Sequence, residues 1–122
     1  PKESGYEGLS LILAAIRKSG QMPFLTVLKL LGKENANLLS FPMEGYTLAL
    51  DFKATARVLA MLKELDQIVS NHGGRVYLAK DARMASGTMS LGYPRLDAFR
   101  EIREKHQLTT TFQSLQSQRL GI

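Results

Sequence analysis

The sequence predicts an α+β domain, in which a small, mostly antiparallel sheet carries helices on one face. Three observations lead to it. Two strand-like runs stand at residues 24–31 and 46–52. A long helical pattern follows them over residues 54–71, and a third strand-like run comes after it at residues 75–78. A helix lying between two strands must pack on the sheet they form.

Each element has a local reason. Residues 1–7 read as a polar lead-in. Over residues 8–19, Leu9, Ile12, Leu13 and Ile16 recur at helical spacing. Arg17 and Lys18 suit the negative end of that helix, and Gly20 suits its stop. Pro23 then opens a run of β-formers that ends at Gly32, with Val27, Lys29 and Leu31 on one face. The Lys33–Asn37 segment is a polar turn. In the second strand Thr47, Ala49 and Asp51 share one face, while Tyr46, Leu48 and Leu50 share the other. Val58, Met61, Leu62, Leu65, Ile68 and Val69 keep helical spacing until Gly73-Gly74. Residues 85–91 form a short helix. Another starts near Pro94, with a weak inner face from Leu96, Phe99 and either Ile102 or Arg103. From Gln107 the chain turns polar and irregular until its last residues.

The 122 residues suffice for one modest core. Cysteine is absent, which excludes disulfides, thiolate metal sites and cysteine nucleophiles and fits a cytoplasmic protein. His72 and His106 stand too far apart in sequence for a histidine metal site, so no metal is expected. No run is apolar enough for a membrane span. The net charge of +5 would suit an anionic partner, but the basic residues are scattered. Without clustered arginines or an aromatic stacking platform, a nucleic-acid partner is not expected. No glycine-rich phosphate loop and no nucleophile elbow is present.

The informative stretch is GGRVYLAKDARM, residues 73–84, where Lys80, Asp81 and Arg83 follow the third strand-like run directly. Asp51 and Asp81 read as turn formers or ion-pair partners. Lys80 is either a solvated lysine or a fixed cation placed beside developing negative charge. Lys29 lies between Val27 and Leu31 on a strand face, so it must snorkel, pair or line a polar cleft.

LLSFPMEGYTLALDF, LKELDQIVSNHGGRVYLAKDARM, YPRLDAFREIREK and a terminal F-x-S-x-x-x-x-RLG follow one another in order. From about Thr26 onward the chain resembles the C-terminal part of FAD-linked oxidoreductases of the vanillyl-alcohol oxidase superfamily. Within that superfamily it is most similar to decaprenylphosphoryl-ribose oxidases and to sugar-lactone and alditol oxidases. The resemblance implies a cap, or substrate, domain portion over residues 1–106. Residues 107–122 would be a tail that returns to an FAD-binding domain, which this chain does not contain. It implies FAD as cofactor of a larger parent, the FAD-binding domain as intramolecular partner, and a sugar-type or polyol substrate. Tyr77 and Lys80 would meet the flavin. Lys80 would also be catalytic, favouring the charge that hydride transfer leaves there. Lys29, Leu31, Thr47 and Ala49 would line the substrate side. The decaprenylphosphoryl-ribose oxidases have asparagine where Thr47 stands and cysteine where Ala49 stands, which leaves the substrate open. The tail departs as well: residues 107–111 replace an Asp-Pro turn with a threonine run, a change that would leave the tail mobile. Two alternatives are weighed against this one, the second of them disfavoured by the scattered charge. One is a free-standing binding or oligomerisation module whose uncovered sheet face meets a second copy; the other is a basic nucleic-acid binder.

Overall fold

The computed structural model describes residues 1–122. Helix α1 spans Gly5–Ser19, strand β1 Leu25–Leu31, strand β2 Gly45–Asp51 and helix α2 Ala56–Asn71. A 3₁₀ turn covers Leu78–Lys80. Four short helices complete the chain: α3 Ser86–Gly92, α4 Leu96–Lys105, α5 Leu108–Thr111 and α6 Leu115–Leu120. The fold is α+β with one antiparallel sheet, as the periodicities predict.

That sheet has two strands rather than three. Residues 75–78 carry β-forming side chains, but no ladder partner reaches them. The Val76 carbonyl instead accepts the Tyr93 hydroxyl at 2.7 Å, and the Arg75 guanidinium donates to the Ser40 carbonyl at 2.6 Å. The Tyr93 hydroxyl and the Gln116 amide, which donates to the Leu78 carbonyl at 2.7 Å, thus satisfy backbone groups that a ladder would otherwise have used. The register pairs Val27 with Ala49, Lys29 with Thr47 and Leu31 with Gly45. Directly opposed residues of an antiparallel pair share a face, so Val27, Lys29, Leu31, Thr47 and Ala49 lie together.

Helix α1 begins three residues earlier than its apolar pattern. The Gly8 N–H bonds the Ser4 carbonyl at 2.9 Å, and the Ser4 hydroxyl donates to the His72 carbonyl at 2.7 Å. The end of α2 therefore fixes the start of α1. Gly5 lets the chain pass the Tyr46 ring, because a Cβ there would stand 2.7 Å from it. Gly20 ends the helix in the left-handed conformation, φ 66°. Helix α2 starts where the Thr55 hydroxyl accepts the Val58 N–H at 3.2 Å.

Two small cores result. In the first, Ala15, Ile16, Val58, Met61 and Leu65 join α1 to α2, and Leu50 and Phe52 bring β2 against them. In the second, Met84, Met89, Tyr93, Leu96 and Leu120 gather the short helices. Arg103 rather than Ile102 completes the inner side of α4. Its guanidinium lies 6.0 Å from the Phe99 ring centroid and donates to the Leu108 and Phe112 carbonyls. The threonine run 109–111 falls in one helical turn, entered through a left-handed Gln107, φ 54°. No helix is long and apolar enough to cross a membrane.

Candidate functional site

A cavity of 590 Å³ opens between β2, the α1–α2 pair and residues 74–83. Ile12, Val58, Leu62 and Leu65 make much of its wall apolar, and Asp51, Asp66, Lys80 and Arg83 add charge. A volume of that size is typical of sites that bury small organic ligands.

Leu31, Thr47, Ala49, Tyr77 and Lys80 all line this cavity. Lys29 does not. It is exposed across the ladder from Thr47 and forms no ion pair.

The loop carrying Tyr77 and Lys80 is built from side-chain anchors. After α2 the chain turns at a left-handed Gly73, φ 67°. Arg75 then lies over the Tyr93 ring, 5.5 Å from its centroid. The Tyr77 ring, nearly half exposed, packs on Phe41 with centroids 4.6 Å apart. The Lys80 N–H bonds the Tyr77 carbonyl and the Asp81 N–H bonds the Leu78 carbonyl, each at 3.2 Å. This turn leaves the Lys80 side chain 55% exposed, its ammonium 3.1 Å from an Asp51 carboxylate oxygen. So exposed a pair contributes about 0–1 kcal/mol, and its role is orientation more than stability.

Asp81 is a turn former and ion-pair partner, as the sequence reading has it, while Asp66 and the pairing of Arg83 and Arg119 escaped that reading. Asp66 and Arg83 form a bidentate pair, with Arg83 Nη2 donating to Asp66 Oδ1 at 2.7 Å and Nη1 to Oδ2. Asp66 had a sequence signal. It sits four residues after Leu62 on the inner stripe of α2, where a carboxylate needs a partner. The Asp81 carboxylate, 1% exposed, accepts from the Arg83 N–H at 2.9 Å, the Met84 N–H at 2.6 Å and Arg119 Nη2 at 2.8 Å. Burial by itself would raise the pKa of Asp81. The Met84 and Arg83 amides, Arg119 and Gln116 together outweigh it and hold the carboxyl below its ordinary value. Burial pushes the Tyr93 hydroxyl up to about 12, although the nearby Arg75 charge pulls the other way.

No family model matches the chain. Over 111 residues it is 38% identical to the decaprenylphosphoryl-β-D-ribose oxidase of Mycolicibacterium smegmatis, a match that covers 91% of this chain and 24% of that protein. It is 41% identical over 97 residues to an uncharacterised protein of Streptomyces coelicolor, covering 79% of this chain and 26% of that one. The chain thus spans about a quarter of the length of these relatives. It is a homologue of part of an oxidase, and the match is to the first of the two groups that its motifs resemble.

Proposed function

We propose that this chain is part of an FAD-dependent oxidoreductase that oxidises a sugar-type hydroxyl, and that it is inactive by itself. The observation that carries the proposal is the convergence of Tyr77, Lys80, Leu31, Thr47 and Ala49 on one cavity. The oxidase named for decaprenylphosphoryl-β-D-ribose, similar over nine tenths of the chain, supports it. The residues fit the ring end of a flavin. Tyr77 offers an exposed aromatic face and Lys80 an exposed ammonium on the same cavity. The diphosphate end finds no glycine-rich loop in this sequence, so that part of the cofactor would be held by the FAD-binding domain of the parent.

Bound flavin would supply the hydride acceptor. Tyr77, backed by Phe41, provides a surface for a planar ring. Lys80 places a positive charge where negative charge accumulates, and its exposure lets it turn from Asp51 toward that charge. Leu31, Thr47 and Ala49 shape the substrate side of the cavity, with Thr47 the hydroxyl among them.

Tryptic peptides of this chain, followed through a size-fractionated lysate, are expected with a protein about four times as long that absorbs as a flavoprotein. Migration near 13.5 kDa would reject this function. In the larger protein, Lys80→Met should lower turnover on the order of 100-fold or more, as loss of a charge-stabilising donor does.

A second function is favoured by the exposed side chains of the ribbon. Leu28 and Leu30 are 56% and 65% exposed. A self-associating module would cover them with a second copy and sediment as a dimer at micromolar concentration. A monomer would remove that alternative.

A further inference from the structure

The terminal F-x-S-x-x-x-x-RLG segment has no part in the function proposed above, yet it lies against the Lys80 loop. Helix α6 is short but fully capped. The Ser114 hydroxyl accepts the Ser117 N–H at 3.0 Å, and the Ser117 hydroxyl accepts the Ser114 N–H at 2.8 Å. Gly121 closes the other end at φ 70°. Leu120, fully buried, anchors the helix in the second core. This seating fixes the direction of Gln116 and Arg119, which are three residues apart and so share one helix face.

Both side chains point into residues 78–84. Gln116 Nε2 donates to the Leu78 carbonyl at 2.7 Å and approaches the Asp81 carbonyl at 3.3 Å and carboxylate at 3.4 Å. Arg119 donates to the Asp81 carboxylate at 2.8 Å and to the Met84 carbonyl. The loop has few backbone bonds of its own, and no strand pairs with it. Two donors from one helix thus hold acceptors on both sides of Lys80.

We propose that α6 is a latch for the Lys80 loop, with Arg119 and Gln116 as positioning residues that act on Lys80 through Asp81 and the Leu78 carbonyl. The latch is a feature of this chain. Its value for catalysis rests on the role of Lys80 proposed above. An unlatched loop would still carry the lysine, but would spread its ammonium over many positions and weaken any field it exerts at one.

The test has two readouts. The first is amide hydrogen exchange of the chain itself in Arg119→Met, Arg119→Lys and Gln116→Leu variants. Arg119→Met and Gln116→Leu should speed exchange at Lys80, Asp81 and Met84 on the order of 10- to 100-fold, while α1 and α2 keep their protection. Arg119→Lys, which keeps a cation for Asp81, should restore part of it. Unchanged exchange in both variants, or an equal increase throughout α1 and α2, overturns the latch. The second readout is turnover of the flavin-containing parent. Arg119→Met should lower kcat more than it changes KM, and should cost little further in a Lys80→Met background. Full turnover in Lys80→Met, with fast loop exchange in Arg119→Met, would leave the latch standing and reject the role of Lys80. The same Arg119→Met loss of kcat in both backgrounds would overturn its action through Lys80.

Discussion

Removing Asp66 should loosen the same loop from its other side. The carboxylate is 10% exposed and its partner Arg83 22%. Asp66→Ala leaves the guanidinium largely buried with its carboxylate gone. Breaking a fully buried pair from one side costs about 3–5 kcal/mol. The exposed fifth of Arg83 lets water recover part of that, so about 2–3 kcal/mol remains. For a chain of this size that is roughly a 10 °C fall in Tm. Urea denaturation followed by far-ultraviolet circular dichroism measures it, with a lower midpoint and an unchanged slope. The double variant Asp66→Leu/Arg83→Met should be more stable than Asp66→Ala, since replacing both charges with apolar groups removes the unpaired cation. The cycle completed by the single variants Asp66→Leu and Arg83→Met should then give a coupling on the order of 2 kcal/mol. A loss below about 0.5 kcal/mol in Asp66→Ala would refute the reasoning, because it would class the pair with exposed surface bridges. So would a double variant as unstable as the sum of the singles.

Other outcomes follow from the same geometry. In an ultraviolet phenolate titration Tyr93 should ionise near pH 12, and Tyr93→Phe should abolish that late step. Because its folded pKa is raised, its contribution of about 3 kcal/mol is complete below the unfolded pKa near 10 and is lost as pH rises toward 12. Asp81 has the opposite sign. Its folded pKa is lowered, so its contribution is present above about pH 4 and is lost as pH falls through the folded value. The stability gap between the native chain and Asp81→Asn should therefore close in acid, and a gap independent of pH would contradict the assignment. Leu120→Ala should destabilise by about 2–5 kcal/mol in the same urea assay, since this side chain is fully buried in the second core.

The elements readable in the sequence are those whose periodicity reports burial. In α2 the stripe from Val58 to Leu65 keeps the helical spacing of a face that packs on α1. Strand β2 alternates, and that alternation places Thr47 and Ala49 on one face opposite Lys29 and Val27. Residues 75–78 misled because β propensity describes side chains, whereas a strand also needs a partner ladder. Here Tyr93 and Gln116 supplied the partners, from 17 and 38 residues away. The helical start at Gly5 was hidden because it depends on His72, 68 residues from Ser4. Helix α6 had local signals in Ser114, Ser117 and Gly121, but too few residues to show a period. In the candidate site, Lys80 stood out by position, while Tyr77 was named only through the family resemblance, from which the proposed roles of both come. Asp81 was readable as a turn or ion-pair residue, but its pairing with Arg119 and that of Arg83 with Asp66 were not, because each joins segments at least 17 residues apart.

Those anchors matter more because the apolar cores are thin. Only 16 of 122 residues are buried, and the accessible surface is 8135 Å². A compact monomer of this mass would expose about 6,500 Å². The excess of about 1,600 Å² is roughly twice the 800 Å² that one partner contributes to a standard protein interface, and apolar side chains take part in it: Tyr6, Met22, Phe24, Leu91 and Leu115 are all largely exposed. Such a chain gains stability when something covers it. Its loop geometry does not have to wait for that cover. Arg83 ties the loop to α2 and Arg119 ties it to α6, both through buried carboxylates. A charged anchor of this kind fixes direction as well as distance, since the guanidinium fork accepts few orientations. The position of Lys80 is therefore set locally within an otherwise lightly packed chain. Cover by a further domain should raise the stability of the helices and strands while changing the exchange of residues 78–84 least.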